Sequence, residues 1–142
     1  YFEQVYRTIE EEGLQSSVIF DGWVDTPEFL RGIGYVLSLS DPAFPESFHV
    51  TPAEGMASGA AAVFLRWEGI EYIYPDDMIM DSLEEIADYI DRLSDDPGEY
   101  RRQAVSGRKF IRDNYDIALI WDQIRRLLEM GEDYEEFCDQ TR

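Results

Sequence analysis

Two glutamates, Glu46 and Glu54, stand with seven residues between them. Carboxylates accept hydrogen bonds from the vicinal hydroxyls of a hexose or a ribose, and they repel phosphate. The run Thr51-Pro52-Ala53-Glu54, which ends at the second glutamate, has the capping-box pattern of a helix start. It has a capping Thr, Pro in the first turn and Glu three positions after the Thr. The unpaired N–H groups of such a start bind phosphate without any lysine. Amides flanked by carboxylates fit a sugar–diphosphate–ribose ligand, with Glu46 at the sugar and Glu54 at the ribose.

The net charge restricts the partners. The chain has 12 Lys and Arg against 31 Asp and Glu, a formal charge of −19. Such a surface repels nucleic acid and anionic membranes, so we expect no nucleic-acid partner. A phosphorylated ligand must therefore be held by local groups. The charge indicates a solvated acidic surface; adaptation to high salt is a weaker alternative, which predicts unfolding in low salt.

Cysteine content and hydropathy favour a cytoplasmic protein. Cys138 is the single cysteine, so an internal disulfide or a cysteine zinc site is excluded and nothing indicates an oxidising compartment. No apolar run approaches the ~20 residues of a membrane span, and no signal peptide is visible. The sequence begins at Tyr1 instead of Met, and we expect it to be part of a longer protein.

Alternating strands and helices are predicted to position the two glutamates. Short apolar runs predict buried strands at Val18–Phe20, Tyr35–Ser40 and Ala60–Leu65. Amphipathic spacing and capping residues predict helices at about 2–12, 26–32, 51–58, 82–95, 98–114 and 116–130. This order predicts an α/β fold, a Rossmann-like parallel sheet flanked by helices. Ligands bind beyond the carboxyl ends of such strands, here at loops 41–50 and 66–69.

The run PESFHVTPAEGMASG (Pro45–Gly59) resembles the signature of the group-1 family of retaining, nucleotide-sugar-dependent glycosyltransferases. The flanking runs VIFDGWVDTPEFLRGIGYVLSLS and AAAVFLRWEGIEYIYP are similar to the elements around that signature. The resemblance covers roughly residues 1–130. It implies that 1–130 form an N-terminally truncated, nucleotide-sugar-binding Rossmann-like domain, one half of a two-domain enzyme, and that 131–142 are an acidic C-terminal tail.

The resemblance also implies a reaction and a set of site residues. A sugar moves with retention from a nucleoside-diphosphate sugar, a donor substrate, so no cofactor or metal is implied. Glu46 takes the catalytic position at the transferred sugar, and Glu54 binds the ribose. Donor-binding amides lie around Phe48, His49, Val50 and Thr51. The acceptor, a glycan or a lipid, and part of the diphosphate are bound by segments that precede this chain. The chain alone is expected to bind donor weakly and to transfer little sugar.

Two departures from the family pattern leave the choice of donor open. His49 stands where the family usually has Gly, and its side chain either points into the donor pocket or is a spectator. Arg66-Trp67-Glu68-Gly69 replaces a pair of glycines. Trp67 either packs on the core or stacks on a base, and Arg66 is either a surface charge or a phosphate ligand.

Other interpretations of the same residues remain open. Glu54 can be a capping residue only, and Glu46 a solvated loop charge. The fold also accommodates a nucleotide-sugar epimerase, which needs no acceptor, or a non-catalytic binding module, which predicts no nucleotide binding.

Overall fold

A computed structural model describes residues 2–41, 43 and 48–130. In these residues a three-stranded parallel sheet has the order β1-β2-β3, with β1 at Tyr35–Ser38, β2 at Ala61–Leu65 and β3 at Ile79–Met80. Leu37 of β1 lies beside Val63, and Phe64 of β2 lies beside Ile79. The predicted α/β fold, a parallel sheet flanked by helices, is confirmed.

Six α-helices are present in the described residues: α1 Phe2–Glu11, α2 Thr26–Leu30, α3 Val50–Ser58, α4 Leu83–Asp95, α5 Pro97–Tyr115 and α6 Ile117–Met130. Three of them begin at side-chain caps. The carboxylate or hydroxyl oxygens of Asp25, Ser82 and Asp96 accept hydrogen bonds from N–H groups of the first turn. Such caps satisfy N–H groups that lack an intrahelical acceptor, which is why local sequence predicted the starts of α2 and α4.

The central strand β2 explains why its sequence is apolar throughout. Ala62 and Phe64 pack with residues of α3 and α5, whereas Ala61 and Val63 pack with residues of α4. Side chains alternate between the two faces of a strand, and both faces of β2 are covered by helices. The sheet therefore has one apolar layer on each side.

Helix α3 packs unusually closely on β1. A Cβ atom built on Gly55 would lie 2.7 Å from Val36 Cγ1, closer than side-chain atoms approach one another. Glycine at this position therefore lets the helix backbone rest on the valine side chain. The neighbouring Met56 is fully buried in the same layer. This contact fixes the position of the first turn of α3 relative to the carboxyl end of β1.

The strand predicted at Val18–Phe20 is wrong. These residues are outside any strand and exposed, with Ile19 at 77% exposure. The N–H of Val18 instead donates to the carbonyl of Leu14, which ends a turn directly before the apolar run. Three apolar residues do not make a strand without a partner edge, and no pairing of this run with β1 is present in the described residues.

Strand β3 was missed by the sequence analysis. It has two residues and follows a pair of short 3-10 helical turns, Ile70–Tyr72 and Asp76–Met78. Its signal is the apolar run Met78–Met80 between two aspartates, which is too short to predict a strand by itself.

Helix α1 has the predicted position and ends before Gly13, which has a positive φ of 68°. None of its residues is buried, and its apolar residues Val5 and Ile9 are half-buried. None of the helices in the described part of the chain has the length and hydropathy of a membrane-spanning segment.

We expect Gly55→Ala to destabilise the fold. The added methyl meets the β-branched Val36, which cannot rotate away, and overpacking of this kind costs about 1–3 kcal/mol. The gain of about 1 kcal/mol that alanine brings to a helix offsets only part of this cost. Urea unfolding should show a lower free energy of unfolding, by up to about 2 kcal/mol.

Gly107→Ala is the matched control, because Gly107 is also a buried helical glycine. Its nearest neighbours are the Sδ and Cγ atoms of the flexible Met56, at 3.1 and 3.2 Å. It should change the free energy of unfolding by less than about 1 kcal/mol. Equal effects of the two substitutions would show that the close contact between α3 and β1 is not a constraint.

Candidate functional site

His49 is held at the carboxyl end of the sheet from two directions. Ser38 Oγ, at the last position of β1, lies 2.7 Å from His49 Nδ1. The hydroxyl of Tyr74, in the segment after β2, donates to the His49 carbonyl at 2.6 Å. Ser38 has 0% exposure, so the first contact is anchored inside the protein. The residue that precedes α3 is thereby attached to two other parts of the chain.

This attachment corrects the predicted helix start. His49 has extended backbone angles and is the N-cap, so α3 begins at Val50 rather than at Thr51. Thr51 lies inside the first turn, and no side chain caps the helix. The capping-box prediction is therefore wrong: the contacts of His49 with Ser38 and Tyr74 decide where the chain turns into the helix, and local cap chemistry does not.

The uncapped start leaves hydrogen-bond donors available. Val50 and Thr51 lie in the first turn, so no carbonyl within the helix accepts a hydrogen bond from their N–H groups. Pro52 has no N–H group. The nine-residue helix also places the positive end of its dipole here. The start of α3 therefore presents donors to the space beyond the carboxyl end of β1.

Glu54 is exposed on α3, beyond the first turn. Its carboxylate forms no hydrogen bond or ion pair with the residues that the structure describes. The interpretation of Glu54 as a capping residue only is therefore not supported. Glu46, Pro45 and Ser47 lie outside the described residues.

Phe48 lies against an aromatic cluster beside the helix start. Its ring centroid is 6.2 Å from that of Tyr74 and 5.1 Å from that of Tyr115. Tyr74 in turn stacks on Phe64 of β2 at 4.2 Å, and the Tyr115 hydroxyl donates to the Ile73 carbonyl at 2.9 Å. The cluster fixes the backbone on which Phe48 and His49 lie.

The site residues that sequence analysis missed are Ser38, Tyr74 and Tyr115. Ser38 was assigned to a strand but not to the site, since a serine at a strand end is common. Tyr74 carried one usable signal, its position directly before Pro75 in an apolar loop. Tyr115 lies at the end of α5, 42 residues from the carbonyl that it contacts, so no local pattern indicates it.

The two ambiguous residues after β2 have structural roles. Trp67 is 3% exposed and belongs to the core layer under α3, so it packs and offers no open face to a base. Arg66 forms an exposed ion pair with Asp81, and this hydrogen bond raises the pKa of the guanidinium above its ordinary value. Exposed pairs of this kind add little stability.

A cavity of about 720 Å³ adjoins the site through Tyr115, which lines both. It is lined mainly by α5, with Arg108, Lys109 and Arg112 among its residues, and none of the predicted donor-binding residues contributes to it. Lys109 and Arg112 are already paired with Asp113.

Among the described residues, no group of three or more His, Cys, Asp or Glu could hold a metal ion.

We expect Tyr74→Phe to lower stability at neutral pH and to have a smaller effect in base. Loss of the hydrogen bond to the His49 carbonyl costs about 1 kcal/mol. Burial raises the pKa of the Tyr74 phenol far above its ordinary value of about 10. The unfolded chain therefore loses the phenolic proton first as pH rises, and wild type loses up to about 1.4 kcal/mol per pH unit above pH 10.

Denaturant unfolding of both proteins between pH 7 and 11 measures this difference. The stability advantage of wild type should be present below pH 10 and should shrink above it, because the variant lacks the titrating group. A constant difference across this range would show that Tyr74 is not buried in the way described.

Comparison with known families covers this site and the sheet below it. A family model described as glycosyl transferase-like matches residues 7–126, which include all three strands, Ser38, His49 and Glu54. No curated protein and no solved structure matches the chain significantly. The chain therefore belongs to the glycosyl transferase-like family, whose general reaction is glycosyl transfer.

Proposed function

We propose that this chain binds a nucleoside-diphosphate sugar at the start of α3 and that the protein transfers the sugar, with retention, to an acceptor. The observation that carries the proposal is the uncapped start of α3, which is held at the carboxyl end of β1 beside the free carboxylate of Glu54. Membership of the glycosyl transferase-like family supports glycosyl transfer as the reaction.

The diphosphate is assigned to the backbone of the helix start. The N–H groups of Val50 and Thr51 and the helix dipole favour a negative charge there. A protein with a formal charge of −19 repels anions at long range, but solution ions screen that field beyond about 8–10 Å. Donors in direct contact with the phosphate oxygens therefore outweigh the general repulsion.

The two glutamates are assigned to hydroxyl groups at the two ends of the donor. Glu54 has an exposed carboxylate free of partners in the described part of the chain, and it binds the ribose hydroxyls. Glu46 binds the transferred sugar; this role rests on the motif, in which it precedes Glu54 by eight positions. The backbone from Phe48 to Thr51 lies between them along the chain.

Catalysis in this proposal is the stabilisation of the departing diphosphate. Dipoles that are already oriented lower a barrier because they do not need to reorganise as charge develops. Ser38 and Tyr74 hold His49, the residue that precedes α3, so the helix amides are fixed before the donor arrives. The acceptor, a glycan or a lipid, is assigned to a separate domain of the protein, and residues 1–130 to the donor domain.

Glu54→Gln should weaken nucleotide binding by this chain. A hydrogen bond to a charged group contributes about 1.5–3 kcal/mol and one to a neutral group about 0.5–1.5 kcal/mol. Glutamine keeps a neutral acceptor oxygen, so the affinity should fall roughly five- to tenfold. Calorimetry and thermal shift with UDP, GDP, ADP and their common sugar conjugates measure the effect and identify the base.

Glu84→Gln is the matched control, because Glu84 is an exposed glutamate in the first turn of α4, a helix of the other layer. It should leave nucleotide affinity unchanged. If Glu54→Gln and Glu84→Gln behaved alike, the ribose would not lie at α3. If the intact protein also bound none of the nucleotides, a non-catalytic binding module would fit instead.

Glu46→Ala should abolish most sugar transfer by the intact protein while leaving its fold unchanged. The assay follows transfer from the donor identified above and, in parallel, release of an altered sugar without acceptor, which would indicate an epimerase. Transfer within about threefold of wild type, roughly 0.6 kcal/mol of barrier, would remove Glu46 from its assigned role.

A further inference from the structure

The two ring nitrogens of His49 lie in different surroundings. Nδ1 is 2.7 Å from the hydroxyl of the fully buried Ser38. Nε2, on the far side of the five-membered ring, has no hydrogen-bond partner among the described residues. The ring is half-buried, so one nitrogen is tied to the protein interior and the other is left for a group outside it.

The buried hydroxyl decides which nitrogen carries the proton in the neutral ring. His49 Nδ1 is the one partner of Ser38 Oγ within the described residues. If Nδ1 donated to the serine oxygen, the hydroxyl hydrogen would be buried without an acceptor, which costs about 1–3 kcal/mol. If the hydroxyl donates to Nδ1, every polar group of the pair is satisfied and the ring proton lies on Nε2.

We propose that Ser38 is a positioning residue that holds His49 in the Nε2–H form, and that this N–H donates to a phosphate oxygen of the donor nucleotide. The second half rests on the function proposed above. The Nε2–H then joins the N–H groups of Val50 and Thr51 at the same helix start. Three donors together match a phosphate, which offers only acceptors, better than a sugar hydroxyl, which also has a hydrogen to donate.

This arrangement gives the histidine side chain a role in donor selection. His49 is the N-cap of α3, yet its side chain makes no cap hydrogen bond because Ser38 holds Nδ1. The imidazole therefore does not cap the N–H groups of α3. It extends the phosphate-binding surface beyond the backbone, at a position where glycine would leave backbone alone.

Nuclear magnetic resonance tests the positioning directly, since His49 is the single histidine of the 142-residue sequence. Long-range ¹H–¹⁵N spectra of the full chain, taken at alkaline pH, report the tautomer without assignment of other residues. One Nε2–H tautomer supports the proposal. A predominant Nδ1–H form, or a mixture of comparable populations in wild type, overturns it.

Variants of the serine separate positioning from packing. Ser38→Ala removes the hydroxyl, and Ser38→Cys keeps its approximate volume with a much weaker donor. Both should give a mixture of tautomers while the rest of the amide spectrum stays close to that of wild type. Ser58→Ala, at the exposed end of α3, is the matched control and should keep the single tautomer. An unchanged tautomer in folded Ser38→Ala overturns the role of Ser38.

The ligand contact is tested by adding UDP, GDP or ADP and, separately, the corresponding nucleosides. A diphosphate that binds should shift the Nε2 signal, whereas its nucleoside should not. Ser38→Ala should weaken diphosphate affinity by roughly three- to tenfold, as expected for one hydrogen bond. Binding that shifts the α3 amides but not Nε2 overturns the contact and leaves the proposed function intact. Absence of binding of every nucleotide to the intact protein overturns the contact and the proposed function together, while the tautomer spectrum still decides the role of Ser38.

Discussion

Helix α3 lies directly on the side chain of Val36, and the geometry of the site depends on this contact. It is possible because Gly55 has no Cβ atom, and Met56 beside it fills the layer between α3, β2 and α5. Ser38 lies on β1, whereas His49 directly precedes α3. If α3 packed farther from β1, the distance between these two side chains would exceed that of a hydrogen bond. The packing of one glycine therefore determines where the N–H groups of the helix start are presented.

The site also shows how an acidic protein can bind an anion. The formal charge of −19 is spread over the surface, whereas the N–H groups of Val50 and Thr51 are concentrated at one helix end. A donor in contact with a phosphate oxygen attracts it at hydrogen-bond distance. The repulsion from the surface carboxylates is weaker, because it acts over a longer distance and is screened by water and ions. The attachment of His49 to Ser38 and Tyr74 holds these donors in place. The ordering of this segment is thus completed during folding instead of during ligand binding.

Local patterns predicted a large part of the fold. The starts of α2 and α4 followed from capping residues, and β2 followed from a continuous apolar run. The same reasoning failed where pairing between distant segments decides the outcome. The apolar run at Val18–Phe20 has the composition of a buried strand, yet it pairs with no strand in the described residues. By contrast, the shorter run Ile79–Met80 forms a strand because it pairs with β2.

By itself, the sequence determined the α/β class, the family and the motif around Glu54, because apolar periodicity, caps and short motifs are properties of neighbouring residues. Only the tertiary structure decided that α3 begins after His49 and that Thr51 is not its cap. Ser38 and Tyr74 are 11 and 25 residues away from His49 along the chain, and the sheet brings them together. Hydrogen bonds between segments so far apart leave no periodic signal in a sequence, because they depend on how strands and helices are stacked and not on the spacing of residue types.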